Sequence, residues 1–206
     1  MPARSTRDRP PRSVRSFILR ASFLFAGAFG VASCAAAPGS IGGTDYAPQY
    51  DFSEFYAATN GKTFGVVFEG NPFPALTEQE SQRRLLPVMQ ANRPRPRLTF
   101  TYAVPAELPR PDYRLVLVFD SAIDLTAARV CAGDVQHQPR SIEGASRFAV
   151  FAVYCRNDLA LSQSTAWTPA TGPEDPRVGQ LFSQLFLVLF TDAPLLGRPR
   201  FAFPRL

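Results

Sequence analysis

Tyr113-Arg114-Leu115-Val116-Leu117-Val118-Phe119-Asp120 places apolar residues in both alternation sets of a strand. Successive strand side chains point to opposite faces, so a run without a polar set belongs in the middle of a sheet covered on both sides. Phe148-Ala149-Val150-Phe151-Ala152-Val153-Tyr154-Cys155 reads the same way. These two runs set the centre of the fold, and the weaker segments arrange themselves around them.

Lys62 to Glu69 is β-branched and aromatic, as a strand requires, and Asn71-Pro72-Phe73-Pro74 ends it. Arg97 to Tyr102 alternates, with Leu98, Phe100 and Tyr102 on one side and Thr99 and Thr101 on the other, the pattern of a half-buried strand. Ser164 to Thr168 adds a short strand, and Ala127 to Cys131 can add another. Thr77-Glu78-Gln79-Glu80 forms a capping box that opens a helix running to about Gln90, with Pro87 expected to kink or divide it. Asp175-Pro176 opens a second helix to about Phe190. There Val178, Leu181, Phe182, Leu185, Phe186 and Leu189 recur at helical spacing. Strands that follow one another without helices between them favour an α+β layer. The expectation is a mostly antiparallel sheet of about five strands with two helices packed on one face. The Phe/Leu stripe of the last helix then belongs to the core.

The chain of 206 residues has a formal net charge of +5. Six of its 22 basic residues (Arg4, Arg7, Arg9, Arg12, Arg15 and Arg20) and one of its 17 acids, Asp8, precede Cys34, leaving sixteen of each sign from Cys34 onward. The excess therefore belongs to the leader, and the domain lacks the overall basicity of a nucleic-acid binder. A local basic patch remains at Arg93, Arg95 and Arg97, against the plainer reading of a solvated Pro/Arg loop.

The leader itself has an order. An Arg-rich start gives way to an apolar run, Ala21 to Ser33, of about 13 residues. That length suits a signal h-region and is short of the roughly 20 residues of a spanning helix. Val31-Ala32-Ser33-Cys34 follows. This resembles the lipobox of bacterial lipoproteins, in which a branched apolar residue and two small residues precede a cysteine whose sulfur takes the diacylglycerol. The resemblance implies cleavage before Cys34, lipidation of Cys34 and, with Ala35 following it, delivery to the outer membrane facing the periplasm. Ala35-Ala36-Ala37 offers ordinary signal cleavage and secretion to the periplasm as an alternative, and an apolar stretch continuing to Ala37 as an uncleaved anchor is a third reading. Ser13-Val14-Arg15-Ser16-Phe17-Ile18 resembles a twin-arginine export motif with Val14 in place of the first Arg, so export by the general route is expected. Chain organisation then reads as signal peptide 1–33, lipidated cysteine and flexible tether 34–50, globular domain 51–194 and tail 195–206. Pro38, Gly39, Gly42, Gly43 and Pro48 mark the tether. Arg198 to Leu206 is cationic and aromatic, and reads as a disordered end. The layout, opened by Tyr50-Asp51-Phe52-Ser53-Glu54-Phe55, looks like that of uncharacterised envelope lipoproteins of Gram-negative bacteria, which implies a place but no functional residues.

Beyond Cys34 the only cysteines are Cys131 and Cys155, and in an exported chain an even pair favours a disulfide. Metal binding with His137, the sole histidine, is the alternative, but C-x5-H-x17-C matches no common zinc spacing. No metal or other cofactor is expected.

Catalytic patterns are missing: there is no G-x-S-x-G, P-loop, G-x-G-x-x-G or H-E-x-x-H. A Ser–His–Asp triad has only His137 to draw on, in a polar segment that reads as a solvated loop. Asp120 and Asp124 lie just past a buried strand, where paired carboxylates can do acid–base work, though turn capping explains them as well. Arg156-Asn157-Asp158 and Trp167 read as turn chemistry and core. The preferred expectation is a lipid-anchored, non-enzymatic envelope protein that binds another envelope protein or serves an assembly. A carrier of a small apolar ligand or lipid between sheet and helices is the alternative, and a hydrolase using Asp120 or Asp124 the third.

Overall fold

The computed structural model describes residues 39–102, 112–137 and 147–192, which all belong to one compact unit. It is an α+β arrangement with six strands in one mixed sheet. The strands are β1 (Ser40–Tyr46), β2 (Lys62–Glu69), β3 (Leu98–Thr101), β4 (Tyr113–Phe119), β5 (Arg147–Arg156) and β6 (Leu159–Pro169). They lie in the order β1-β6-β5-β4-β2-β3. The two runs that looked central are central. β4 and β5 pair antiparallel, with Leu115 opposite Tyr154 and Leu117 opposite Ala152.

The alternation in β4 explains its double apolar character. Leu115, Leu117 and Phe119 join one core cluster, whereas Val116 and Val118 join a second on the opposite face. The first cluster is covered by α1 (Phe52–Thr59), α2 (Glu78–Ala91) and α4 (Pro176–Leu189), through Phe55, Leu85, Met89 and the whole expected stripe from Val178 to Leu189. Each fully buried Phe or Leu there stabilises the fold by roughly 1.5–3 kcal/mol relative to exposure. The second cluster is smaller and is covered by α3 (Ala127–Cys131) with Leu125.

The helix starts follow their caps. The Asp175 side chain accepts from Arg177 N at 3.0 Å, with Pro176 in the first turn. Thr77 Oγ1 accepts from Glu80 N at 3.2 Å, but the Glu80 carboxylate does not close the box. It pairs instead with Arg83 at 2.7 Å and Arg84 at 2.5 Å.

Five expectations are corrected. The sheet has six strands, not about five, and although its β1–β6, β6–β5 and β5–β4 pairings are antiparallel as expected, it is mixed, since β2 pairs parallel with both β3 and β4. Consecutive strands β3 and β4 are not neighbours, because β2 lies between them, so adjacency in the chain does not make them an antiparallel pair. Helices cover both faces, not one, and number four among the described residues. Ala127 to Cys131 is the helix α3 and not a strand: Thr126 caps it, accepting from Arg129 N at 3.4 Å, and its alanines suit a helical turn. Ser40–Tyr46, placed in the flexible tether, is the edge strand β1, so the domain begins before residue 51. Finally, Pro87 does not divide α2, which runs through it as one helix. Pro87 and Arg83 both face outward, so the carbonyl that loses its partner has access to water.

Candidate functional site

Of the residues singled out in the sequence, Cys131 and Cys155 are joined. Their Cα atoms lie 5.6 Å apart, inside the range a disulfide spans, and the bond fastens α3 to the centre of the sheet. Cys34, its leader and the tail from Arg198 to Leu206 lie outside the described residues. No helix among the described residues is long and apolar enough to cross a membrane.

His137 is not a free loop residue. Its Nδ1 lies 3.2 Å from the Phe119 carbonyl oxygen, and its Nε2 4.0 Å from a Glu69 carboxylate oxygen. This places it at the carboxyl ends of the parallel neighbours β2 and β4. Asp120 follows directly, with φ of +51°, a conformation uncommon outside glycine. Asp124 is exposed in the next turn. Among the described residues no three of His, Cys, Asp and Glu converge as metal ligands do.

Arg156 and Glu54 form a structural pair. Arg156 Nη1 donates to Glu54 at 2.6 Å, and the Tyr113 hydroxyl donates to the same oxygen. The tyrosine hydrogen bond, followed by the guanidinium, holds the Glu54 carboxyl below its usual range. Asn157 and Asp158 make the tight β5–β6 turn. Trp167 is part-exposed on β6, with the Arg147 guanidinium 4.6 Å above its ring.

A different place has the character of a binding site. A cleft of about 300 Å³ lies where the start of α1, the connection after α2 and the end of α4 meet. Its apolar lining includes Phe52, Phe186, Leu187 and Phe190. Its rim is polar, with Asn92, Arg93 and Arg95 on one side and Ser183, Thr191 and Asp192 on the α4 side. Leu187 is 72% exposed, an isobutyl group held in water at the cleft. Arg93 donates to the Gln90 carbonyl at 3.1 Å, whereas Arg95 has no partner among the described residues.

The walls are fixed from behind. Tyr46 donates to the Val188 carbonyl, Ser162 to the Leu189 carbonyl at 2.8 Å and Tyr50 to the Thr191 carbonyl at 2.9 Å. These hydroxyls satisfy carbonyls that the helix end leaves without intrahelical donors. Burial, then the neighbouring Tyr46 and Asp192, pushes the Tyr50 phenol well up, so it stays a neutral donor. Phe190 stacks on Phe55 with centroids 4.3 Å apart, and Phe55 is fully buried. The cleft is therefore a preformed surface on a rigid support.

Sequence reading reached Arg93 and Arg95 as a patch but not their apolar partners. Leu187 carried a signal, since Leu185 to Phe190 is apolar without a break. A run that continuous is wider than one buried helical stripe and must leave an apolar side chain outside. The interface between the sheet and α2 and α4, where a carrier would hold its ligand, is filled by side chains such as Phe148, Phe182 and Phe186.

No protein-family model matches the chain, and comparisons with curated proteins and with solved structures find no match either.

Proposed function

We propose that this is a lipid-anchored protein of the cell envelope, held through Cys34 at the outer membrane facing the periplasm, whose folded domain acts by binding another envelope protein. The observation that carries the binding role is the cleft beside Leu187: an apolar lining left in water, with an arginine beside it, Arg95, that has no partner among the described residues. Side chains of this kind supply the anchors of protein interfaces, where a few buried apolar groups and arginines dominate the energy. The anchor rests on the lipobox resemblance at Val31 to Cys34. Several acyl chains on one cysteine, at roughly 0.8 kcal/mol per buried CH₂, make attachment durable.

Two experiments test this. Cys34→Ser abolishes labelling by a radioactive fatty acid; unchanged labelling removes the anchor. Affinity capture of the full chain from detergent-solubilised membranes enriches a protein that Leu187→Asp does not enrich. No enrichment of any protein over an untagged control removes the binding role.

A second reading, a carrier of a small apolar ligand or lipid, draws on the same cleft, whose volume sits at the bottom of the range for ligand pockets. Native mass spectrometry of the purified protein tests it: a co-purified ligand supports it and a bare protein counts against it.

A further inference from the structure

The chemistry of the cleft narrows what partner it takes. Its volume of about 300 Å³, open to solvent, accepts one or two bulky side chains, and Phe52, Phe186, Leu187 and Phe190 supply the apolar part of its lining. An acyl chain needs more of its surface covered than an open cleft of this size provides, as small-molecule sites bury some 70–90% of their ligand. The rim adds sign. Arg95 has no partner among the described residues, and Arg93 spends one N–H on a backbone carbonyl, with no other partner for its fork among those residues. A guanidinium fork matches a carboxylate with two parallel hydrogen bonds. Asp192, on the α4 side, opposes a spread of negative charge. It confines an anion to the Asn92–Arg95 side and disfavours a polyanion such as a nucleic acid.

We propose that the cleft binds a protein segment in which a bulky apolar side chain sits next to an aspartate or glutamate, the apolar group entering against Leu187 and Phe52 and the carboxylate meeting Arg93 and Arg95. This rests on the protein-binding reading above and adds to it the place and the chemistry of the partner. Asn92 and Ser183, two of the neutral hydrogen-bonding side chains of the rim, are placed to meet the backbone of such a segment. Because both arginines are exposed, the attraction is screened by salt, and it sets the rate and selectivity of association more than the final affinity.

The test uses the full chain in intact cells with a photo-crosslinking residue, p-benzoylphenylalanine, in place of Leu187, and a control probe in place of Ala128 on α3, on the other face of the sheet. The crosslinked segment is identified by mass spectrometry after digestion. The expected result is a protein segment with Asp or Glu beside a bulky apolar residue. Its yield falls at least about tenfold, roughly 1.4 kcal/mol, when Arg93→Glu and Arg95→Glu are combined. Thermal unfolding of that variant checks that the fold survives; if it does not, Arg93→Gln with Arg95→Gln replaces it, with a smaller loss expected in the same direction. A captured segment without an acid, or a yield indifferent to both arginine variants, overturns this inference and leaves the protein-binding reading intact. Capture only from position 128 does the same. A lipid adduct at position 187 overturns it in favour of a carrier. No captured protein at either position overturns both readings.

Discussion

The side-chain amide of Gln90 pairs with the backbone of Phe100 as a neighbouring strand would. Its Oε1 accepts from Phe100 N at 2.8 Å, and its Nε2 donates to the Leu98 carbonyl at 2.9 Å. β3 is the last strand on its side of the sheet, so these are the groups a second chain would otherwise use. The other edge is blunted by different means: β1 slips register against β6 between Gly42 and Asp45, with Gly43 at φ of +59°, which is a bulge. Gln90→Ala leaves a part-buried N–H and C=O without partners, at a cost of about 1–3 kcal/mol. Urea unfolding checks the stability. Light scattering checks a second consequence, that the variant self-associates at concentrations where the parent stays monodisperse. An unchanged unfolding midpoint would show that water replaces the amide without loss.

The Cys131–Cys155 bond closes a loop with a sequence separation of 24, and both residues are fully buried. The chain-entropy estimate for a loop of that size is about 3–4 kcal/mol. Replacing both cysteines by Ala lowers stability by that order, because the core cluster that otherwise holds α3 on the sheet is small. Denaturant titration of the double variant beside the parent, and of the parent with and without reductant, measures it. A cost below about 1 kcal/mol would mean that Leu125, Val130 and their neighbours hold α3 unaided.

Much of this fold is legible in the sequence wherever one physical signal acts alone. Runs apolar on both faces placed β4 and β5, and cap residues placed the starts of α2 and α4. Legibility fails where two signals compete or where the decisive contact is distant. Ser40–Tyr46 is glycine-rich and polar, so its local pattern says tether. It becomes a strand because β6 offers a free edge, with Thr165 Oγ1 donating to the Gly42 carbonyl at 2.7 Å. Ala127–Cys131 is too short for any period to show. The insertion of β2 between β3 and β4 leaves no local trace at all. For the cleft, the arginines were visible as a patch, but Phe52 and Leu187 meet them only through the packing of α1 against α4.

Gly70, directly after β2, has φ of +88°, and a Cβ there would lie 2.8 Å from the Phe119 carbonyl oxygen and 3.2 Å from the His137 ring. Gly70→Ala therefore carries both backbone strain and a clash with backbone that cannot swing aside. The expected loss is about 1–3 kcal/mol, consistent with the usual cost of such strained conformations. The His137 ring is the softer neighbour, so its NMR resonances shift in the variant along with the lowered unfolding midpoint. Resonances that stay in place would show that the strain is relieved through β4 instead.

Glu54 ties α1 to the sheet, since its carboxylate receives both the Tyr113 hydroxyl and the Arg156 guanidinium, on β4 and β5. The hydrogen bond from Tyr113, ahead of the arginine, holds its pKa below the ordinary glutamate value. A carboxyl whose pKa is lower in the folded than in the unfolded chain stabilises the fold above its unfolded value, near 4.3. That contribution fades as pH falls through the lower, folded value. Glu54→Gln keeps the shape and removes the charge, so it lowers the thermal midpoint at pH 7 and converges on the parent in acid, below both values. Because the pair is about one-third exposed, solvent screening keeps the effect to a fraction of what a buried pair gives. Thermal unfolding of both proteins from pH 7 to pH 3 checks the sign: a gap that widens in acid would mean that the protonated carboxyl, and not the carboxylate, is the form that holds α1 in place.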